Sequence, residues 1–326
     1  MYIAIGVIAI VVIAAVGAAL MMGKGSNDKS VKVLLLKKTS SSVAYSPMDQ
    51  EAVYNGSYSL SRYLYLYTDG VPSTSSSIYK WLSLIYNTTG QQMVTDAGFY
   101  PLQTSDLNAM KAQLQNGNNS AVTGAFTESG STTMTEIAAL WAQSFKQSTG
   151  ITVTIKTPGS GAGIKDFYNK IVDVAQASRA MTTAEKATAA ANGITVVEWK
   201  VAVDGLAIIV NKDNPVTTLT LSQLEGIFNG TYTNWNQVGG NDKAISLYGR
   251  DSASGSYASF KDLVLVNKEN YTSAMLQFNT NALIVPEVES AVGAIGYVGI
   301  GFAKEASGTS ADTTLSEVSS PVARVL

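Results

Sequence analysis

Three stretches of the chain share one pattern: apolar residues of strand type, a turn of hydroxyl side chains and glycine, then apolar residues at helical spacing. The first is Glu128-Ser129-Gly130-Ser131-Thr132-Thr133, followed by Ile137, Leu140, Trp141 and Phe145 on one helix face, with Gly150 as a stop signal. In the second, a strand over 151–155 leads into Thr157-Pro158-Gly159-Ser160-Gly161-Ala162-Gly163, then a helix carrying Ile164, Phe167, Tyr168 and Ile171. In the third, a strand over 244–248 runs into Gly249-Arg250-Asp251-Ser252-Ala253-Ser254-Gly255-Ser256, and the helix after it carries Tyr257, Phe260, Leu263 and Val264. From Val122 onward strand, turn and helix repeat, which predicts an α/β chain with mostly parallel strands. Before that point the pattern predicts a strand over 32–36, a short helix over 49–54 and a turn at 55–57. A strand over 59–68 follows, in which Leu60, Arg62, Leu64 and Leu66 alternate with Ser61, Tyr63, Tyr65 and Tyr67. Residues 78–86 read as an amphipathic helix with Trp81, Leu82 and Ile85 inward, and 108–115 as a weaker helix.

The first 23 residues break from this pattern: they carry no charge and no polar helix face. As a helix they would measure about 34 Å, enough to cross a bilayer. The seven small residues Gly6, Ala9, Ala14, Ala15, Gly17, Ala18 and Ala19 would let neighbouring helices approach closely. No basic residue precedes the segment, as one would in a secretory signal, and Lys24 follows it. The readings are an uncleaved signal anchor, a mature hydrophobic N-terminus of the kind found in archaeal type IV pilin-like proteins, or a signal peptide with an atypical start. Residues 1–24 are therefore expected to be a membrane anchor or the core of a filament of identical subunits.

Composition narrows the chemistry. The net charge of −2 leaves no basic footprint for nucleic acid. Cysteine and histidine are both absent, which excludes disulfides, thiol and Ser-His-Asp catalysis, and the commonest metal ligand. No Asp/Glu run has calcium-loop spacing. The chain therefore reads as a binding protein without a cofactor rather than an enzyme. Asn55, Asn87, Asn118, Asn229 and Asn270 stand in Asn-x-Ser/Thr sequons, consistent with an extracellular, glycosylated chain.

A turn of Ser and Gly that opens a helix leaves backbone N–H groups free at the positive end of the helix dipole, which is an anion site. Arg250 can add a bidentate donor fork, with Asp251 expected to hold it in place. The plainer reading of each turn is a capped helix, since caps favour Ser and Thr, with an Arg250–Asp251 surface pair. Three such turns, together with Ser178-Arg179 after the strand-like 172–175, point to one convergent oxyanion pocket.

Residues 121–303 resemble the phosphate-binding protein of ABC-type phosphate importers. The matching pieces stand in family order: Gly130 to Thr133, Gly159 to Lys165, Ala177-Ser178-Arg179, Val203 to Asn211, Leu221 to Gly240, Arg250 to Ser256, and Gly293 to Val298. The resemblance implies a bilobal periplasmic-binding-protein fold. The segment that follows Gly293–Val298 in the family looks like residues 31–102 here, including Asn55 to Arg62 and Gly98 to Leu102, so the chain looks circularly permuted. Residues 106–120 would bridge the old termini. The expected units are the hydrophobic helix at 1–24 and a binding domain at 25–326. Within that domain, lobe one would be roughly 63–197 and lobe two roughly 31–62 plus 198–326, with crossover strands near 196–204 and 59–67. Carried over from the family, the ligand is phosphate, and Thr132, Thr133, Ser160, Ser178, Ser254, Gly255 and Ser256 supply hydroxyl and backbone donors. Arg250 supplies the charged fork and Asp251 orients it. Arg179 stands where some members carry an Asp that accepts a proton from monohydrogen phosphate; here it would add charge and remove an acceptor. An ABC permease is the implied partner, and the alternative is a structural subunit of a pilus-like filament displaying the domain outside.

Overall fold

A computed structural model describes residues 30–117, 122–266 and 270–308. The expected N-terminal helix and the sequon at Asn118 lie outside the described residues. Among the described residues, no helix is long and apolar enough to cross a membrane.

In chain order, β1 (Val31–Val33), β2 (Leu35–Lys37) and β3 (Ala44–Tyr45) lead to the short helix α1 (Gln50–Tyr54) and the long strand β4 (Ser61–Asp69). Three helices follow, α2 (Ser77–Ile85), α3 (Thr88–Asp96) and α4 (Thr104–Gln115), then β5 (Phe126–Gly130) and α5 (Thr135–Thr149), entered through a 3-10 turn at Thr132–Met134. Next come β6 (Val153–Lys156), α6 (Ser160–Tyr168), β7 (Val174–Ala177), α7 (Thr183–Ala191) and β8 (Val196–Asn211). The remainder is β9 (Thr218–Thr220), α8 (Leu221–Phe228), β10 (Ser246–Arg250), α9 (Gly255–Val264), β11 (Leu276–Phe278), α10 (Ile284–Ser290), β12 (Ala294–Gly299) and α11 (Ile300–Ser307).

The sheet is organised by β8. Its first ten residues pair antiparallel with β4, and its last six pair with β12 and β1. At 16 residues it is roughly 50 Å long, so one strand serves two half-sheets. On one side the order continues β4-β7-β5-β6; on the other it continues β12-β10-β11. The α/β expectation holds, but the sheet is mixed rather than mostly parallel. The pairs β5–β6, β5–β7, β10–β11 and β10–β12 are parallel, whereas both contacts of β4 and those of β8 with β12 and β1 are antiparallel. The strand shared by both half-sheets meets only antiparallel neighbours, while the strands flanked by helices pair in parallel, a division that the repeat of strand and helix in the sequence does not reveal.

Each half has an aromatic core. Trp81 of α2 meets Phe126, Trp141 and Phe145 edge to face, at 5.3–6.3 Å between ring centres. In the other half Phe260 stacks on Tyr297 at 4.3 Å, and Phe228 packs tilted against both at 4.6 and 5.7 Å. One periodicity assignment fails: α6 ends at Tyr168, Lys170 takes φ 59°, and Ile171 leaves the helix to stand 62% exposed. The left-handed residue turns the chain after the last helical position, so the face carrying Ile164 and Phe167 does not extend to Ile171.

Candidate functional site

The three hydroxyl- and glycine-rich turns meet where the two half-sheets face each other. β5 delivers Ser131, whose hydroxyl accepts from the Thr133 amide at 3.2 Å and sets the 3-10 turn that opens α5. β6 delivers Gly159, which starts α6 without a side-chain cap, so the first-turn amides are not taken by a cap. β10 delivers Arg250, and Ser254 caps α9 by accepting from the Ser256 amide at 3.1 Å. Ser178 follows β7 and is fully buried, as are Ser160 and Ser256.

Contacts across the gap are close. Thr133 Oγ1 lies 3.1 Å from Ser256 Oγ, and Ser259 donates to the Ser178 carbonyl at 3.2 Å. Ser178 N–H donates to Ser160 Oγ at 3.1 Å. Gly255 sits where a Cβ would fall 2.3 Å from Ser178 Oγ and 2.4 Å from Ser160 Oγ. Gly159, at φ 111°, passes so near the Ala253 carbonyl that a Cβ would lie 2.5 Å from it. These glycines let two backbones from opposite halves approach to contact. Of the expected residues, Thr132, Thr133, Ser160, Ser178, Arg250, Ser254, Gly255 and Ser256 are thus gathered in one place. A cavity of about 330 Å³ opens beside them, lined from both halves by Thr132, Thr157, Gly159, Ser254, Asn279 and Thr280. A second cavity of about 210 Å³, bordered by Thr68, Phe167, Lys170 and Ile194, contains none of these residues.

Arg250 is fully buried at the end of its strand. Its guanidinium donates to the carbonyls of Phe278 and Asn279, to Asn281 Oδ1, and to Thr132 Oγ1 at 2.6 Å. Burial pulls its pKa down to about 10, opposed by the charges of Asp251 and Tyr297 and assisted by Arg62. It remains a cation at neutral pH. The expected orienting contact from Asp251 is not made. Asp251 Oδ1 instead accepts from the amides of Ala253 and Ser254, at 3.1 and 3.2 Å, and so shapes the turn. A carboxylate one residue from the end of a strand points to the opposite side from its neighbour, where the amides of its own turn are within reach.

Arg179 is the second correction. Its guanidinium forms a forked pair with Glu185, at 2.8 and 2.7 Å, in the first turn of α7. The bonds from Glu185 raise its pKa, against the effect of burial. The local carboxylate captures its fork and offsets its charge.

Four residues escaped the sequence reading. Arg62 of β4 and Asp204 of β8 are direct cross-strand partners, both buried, joined at 3.0 and 2.6 Å, and Arg62 Nη2 also reaches Ser256 Oγ at 3.0 Å. Asn281 braces Arg250, and Tyr297 accepts from the Arg250 amide at 3.0 Å. A signal for the first pair was present: Arg62 occupies the inward phase among Leu60, Leu64 and Leu66, and Asp204 interrupts the apolar run 201–210. A charge inside an apolar run must find a partner. Nothing local marks Asn281 or Tyr297.

Among the described residues, no group of three or more Asp, Glu, His or Cys side chains could hold a metal ion. What the site offers is mainly donors: a guanidinium that no carboxylate contacts among the described residues, the five buried hydroxyls of Thr133, Ser160, Ser178, Ser254 and Ser256, and three helix starts, with Asp251 at the cavity edge.

Comparison with known proteins agrees with this chemistry. The protein family described as PBP superfamily domain matches residues 115–324. The phosphate-binding protein PstS of Borreliella burgdorferi is 37% identical over 159 residues, covering 47% of this chain and 54% of that protein. Protein SphX of Synechococcus elongatus is 32% identical over 189 residues, covering 56% of each. The chain thus spans only about half the length of these curated relatives. A solved structure from Clostridium perfringens, described as a phosphate ABC transporter substrate-binding protein with bound phosphate, is similar at TM-score 0.50 and 30% identity. That likeness covers 56% of this chain and 73% of the other.

Proposed function

The chain belongs to the PBP superfamily domain family, and from that premise we propose that it is a non-enzymatic receptor that holds inorganic phosphate between its two halves. The observation that carries the proposal is the meeting of three helix starts with a buried arginine whose direct partners are all neutral. The first and second halves act as lobes one and two, joined through β4 and β8, and anion binding holds them closed. Phosphate is the ligand named in the similar proteins, and an ABC permease is the matching partner. Among the described residues, the carboxylates near the site are engaged: Asp204 through both oxygens, and Asp251 through Oδ1, which its own turn holds. Discrimination between phosphate and sulfate is therefore weak, because neither anion is asked to supply a proton.

The test is isothermal titration of the full chain in mild detergent with phosphate, sulfate and arsenate. One-to-one binding of phosphate, with sulfate competing at moderate excess, is the expected result. No heat with any of the three overturns the reading.

Circular permutation is part of the same proposal. Its support is that residues 31–69, which precede the family match at 115–324, supply β1 and β4, both direct neighbours of β8 within the sheet. Residues 1–24 place the domain at the cell surface, as a lipid anchor or, in the second reading, as the core of a filament of identical subunits. The seven small residues among them favour close helix packing. Gly6→Lys with Ala14→Lys should abolish any assembly and leave phosphate binding intact. A monodisperse monomer in mild detergent, with no filaments on cells, would leave only the anchor. The exposed sequons at Asn55, Asn87 and Asn270 are accessible to glycosylation.

A further inference from the structure

We propose that Arg62 is a second guanidinium of the anion site, seated by Asp204 and carried on the strand that joins the two halves. The proposal rests on the oxyanion reading above and extends it to a residue outside the helix starts.

A guanidinium presents two edges that can bind a pair of acceptors. The side edge of Arg62, formed by Nε and Nη2, is filled by Asp204 Oδ2 at 3.0 and 2.6 Å. The end edge, formed by Nη1 and Nη2, faces the start of α9: Nη2 donates to Ser256 Oγ at 3.0 Å. Nη1 on that same edge is buried and has no partner among the described residues. The side chain is only 6% exposed, so water does not satisfy it freely. A pair serving only to join β4 to β8 has no need of a donor edge turned toward the helix start. An anion seated at the amides and hydroxyls of α9 would meet that edge.

Charge leads to the same place. Arg250 is buried and makes no ion pair among the described residues; its partners are two carbonyls, an amide oxygen and a hydroxyl. Arg62 lies near enough to depress its pKa. Asp204 neutralises one of the two cations, and its other oxygen is fixed by the Ile300 amide at 3.1 Å. Among the described residues, Arg250 is left with no anion in contact and only the more distant charge of Asp251 in its favour, and a buried charge without a paired anion is costly. A tetrahedral oxyanion between the two forks supplies the missing charge and the missing acceptor together. Asp204 acts through Arg62 and is a positioning residue.

The experiment titrates inorganic phosphate into the full native chain and into Arg62→Gln, Arg62→Lys and the double variant Arg62→Gln/Asp204→Asn. The double variant removes both charges together, so it strands no buried carboxylate. The single and double neutral variants should each lose about a hundredfold in phosphate affinity, with Arg62→Lys recovering part of it. Thermal unfolding with and without phosphate separates roles: a purely structural pair would lower the ligand-free midpoint and leave the phosphate-induced shift unchanged. A folded double variant that binds phosphate within about threefold of the native chain overturns the proposal. A native chain that binds none of phosphate, sulfate or arsenate overturns the oxyanion reading itself, and this inference with it.

Discussion

Replacing Gly255 by Ala separates the binding site from the fold. The added Cβ would lie 2.3 Å from Ser178 Oγ, 2.4 Å from Ser160 Oγ and 3.1 Å from Ser160 Cβ, all three in the opposite half. Two responses are open to the protein. The hydroxyls can rotate away, which breaks the 3.1 Å bond from Ser178 N–H to Ser160 Oγ and removes two donors from the ligand. Alternatively the halves can separate, which pulls Thr133 from Ser256 and Arg250 from Thr132. Overpacking of this kind costs about 1–3 kcal/mol, and the strain falls only on the closed arrangement. Phosphate affinity should therefore drop roughly 5- to 150-fold. The isolated half carrying α9 meets no clash, and Ala is the better helix former by up to about 1 kcal/mol. Ligand-free stability should then be unchanged or slightly higher while affinity falls. Calorimetric titration gives the first quantity and thermal unfolding without phosphate the second. An unchanged affinity would refute the idea that the ligand is gripped where Gly255 meets Ser160 and Ser178. A parallel loss of stability and affinity would refute the claim that the clash is confined to closure.

Other expectations follow from particular contacts. Arg179→Ala should shift phosphate affinity by less than about threefold and cost about 1 kcal/mol of stability, because its fork serves Glu185; a tenfold affinity loss in titration would return it to the pocket. For the same reason Arg179→Asp should yield no new selectivity against sulfate, since its carboxylate would stand beside Glu185 rather than the ligand. Asp251→Ala should cost about 1 kcal/mol through the lost turn acceptor, measured by denaturant unfolding, and Asp251→Asn should restore most of it; a large affinity loss with normal stability would instead support an orienting role toward Arg250. Glu128 is fully buried, and burial pushes its carboxyl up to about 8, against the bond from Trp81. Its folded pKa thus lies above the unfolded value of 4.5, so its contribution is complete below that value and is lost as pH rises through about 8. Glu128→Gln should remove this loss, which runs from about pH 4.5 to about pH 8, in a pH series of unfolding free energies; parallel native and variant curves would sink the assignment.

Local order fixed much of the site in advance. A strand, a hydroxyl- and glycine-rich turn and an amphipathic helix are short-range instructions, and the side chains that cap a helix are the ones that surround an anion at its start. That is why Thr132, Thr133, Ser160, Ser178, Arg250, Ser254, Gly255 and Ser256 could be named from the chain and meet in space. Charged partners obey a different rule. Arg179 had a carboxylate six residues away at the opening of α7, and that local competitor took its fork. Asp251 had two amides within reach in its own turn. Arg250 instead found its acceptors in the loop after β11, on Asn279 and Asn281. Arg62 and Asp204 are 142 residues apart and became partners only through the register of β4 on β8. Their out-of-place charges are visible in the sequence; which charge answers which depends on strand register and on the distance to every competing acceptor, and only the folded chain sets those.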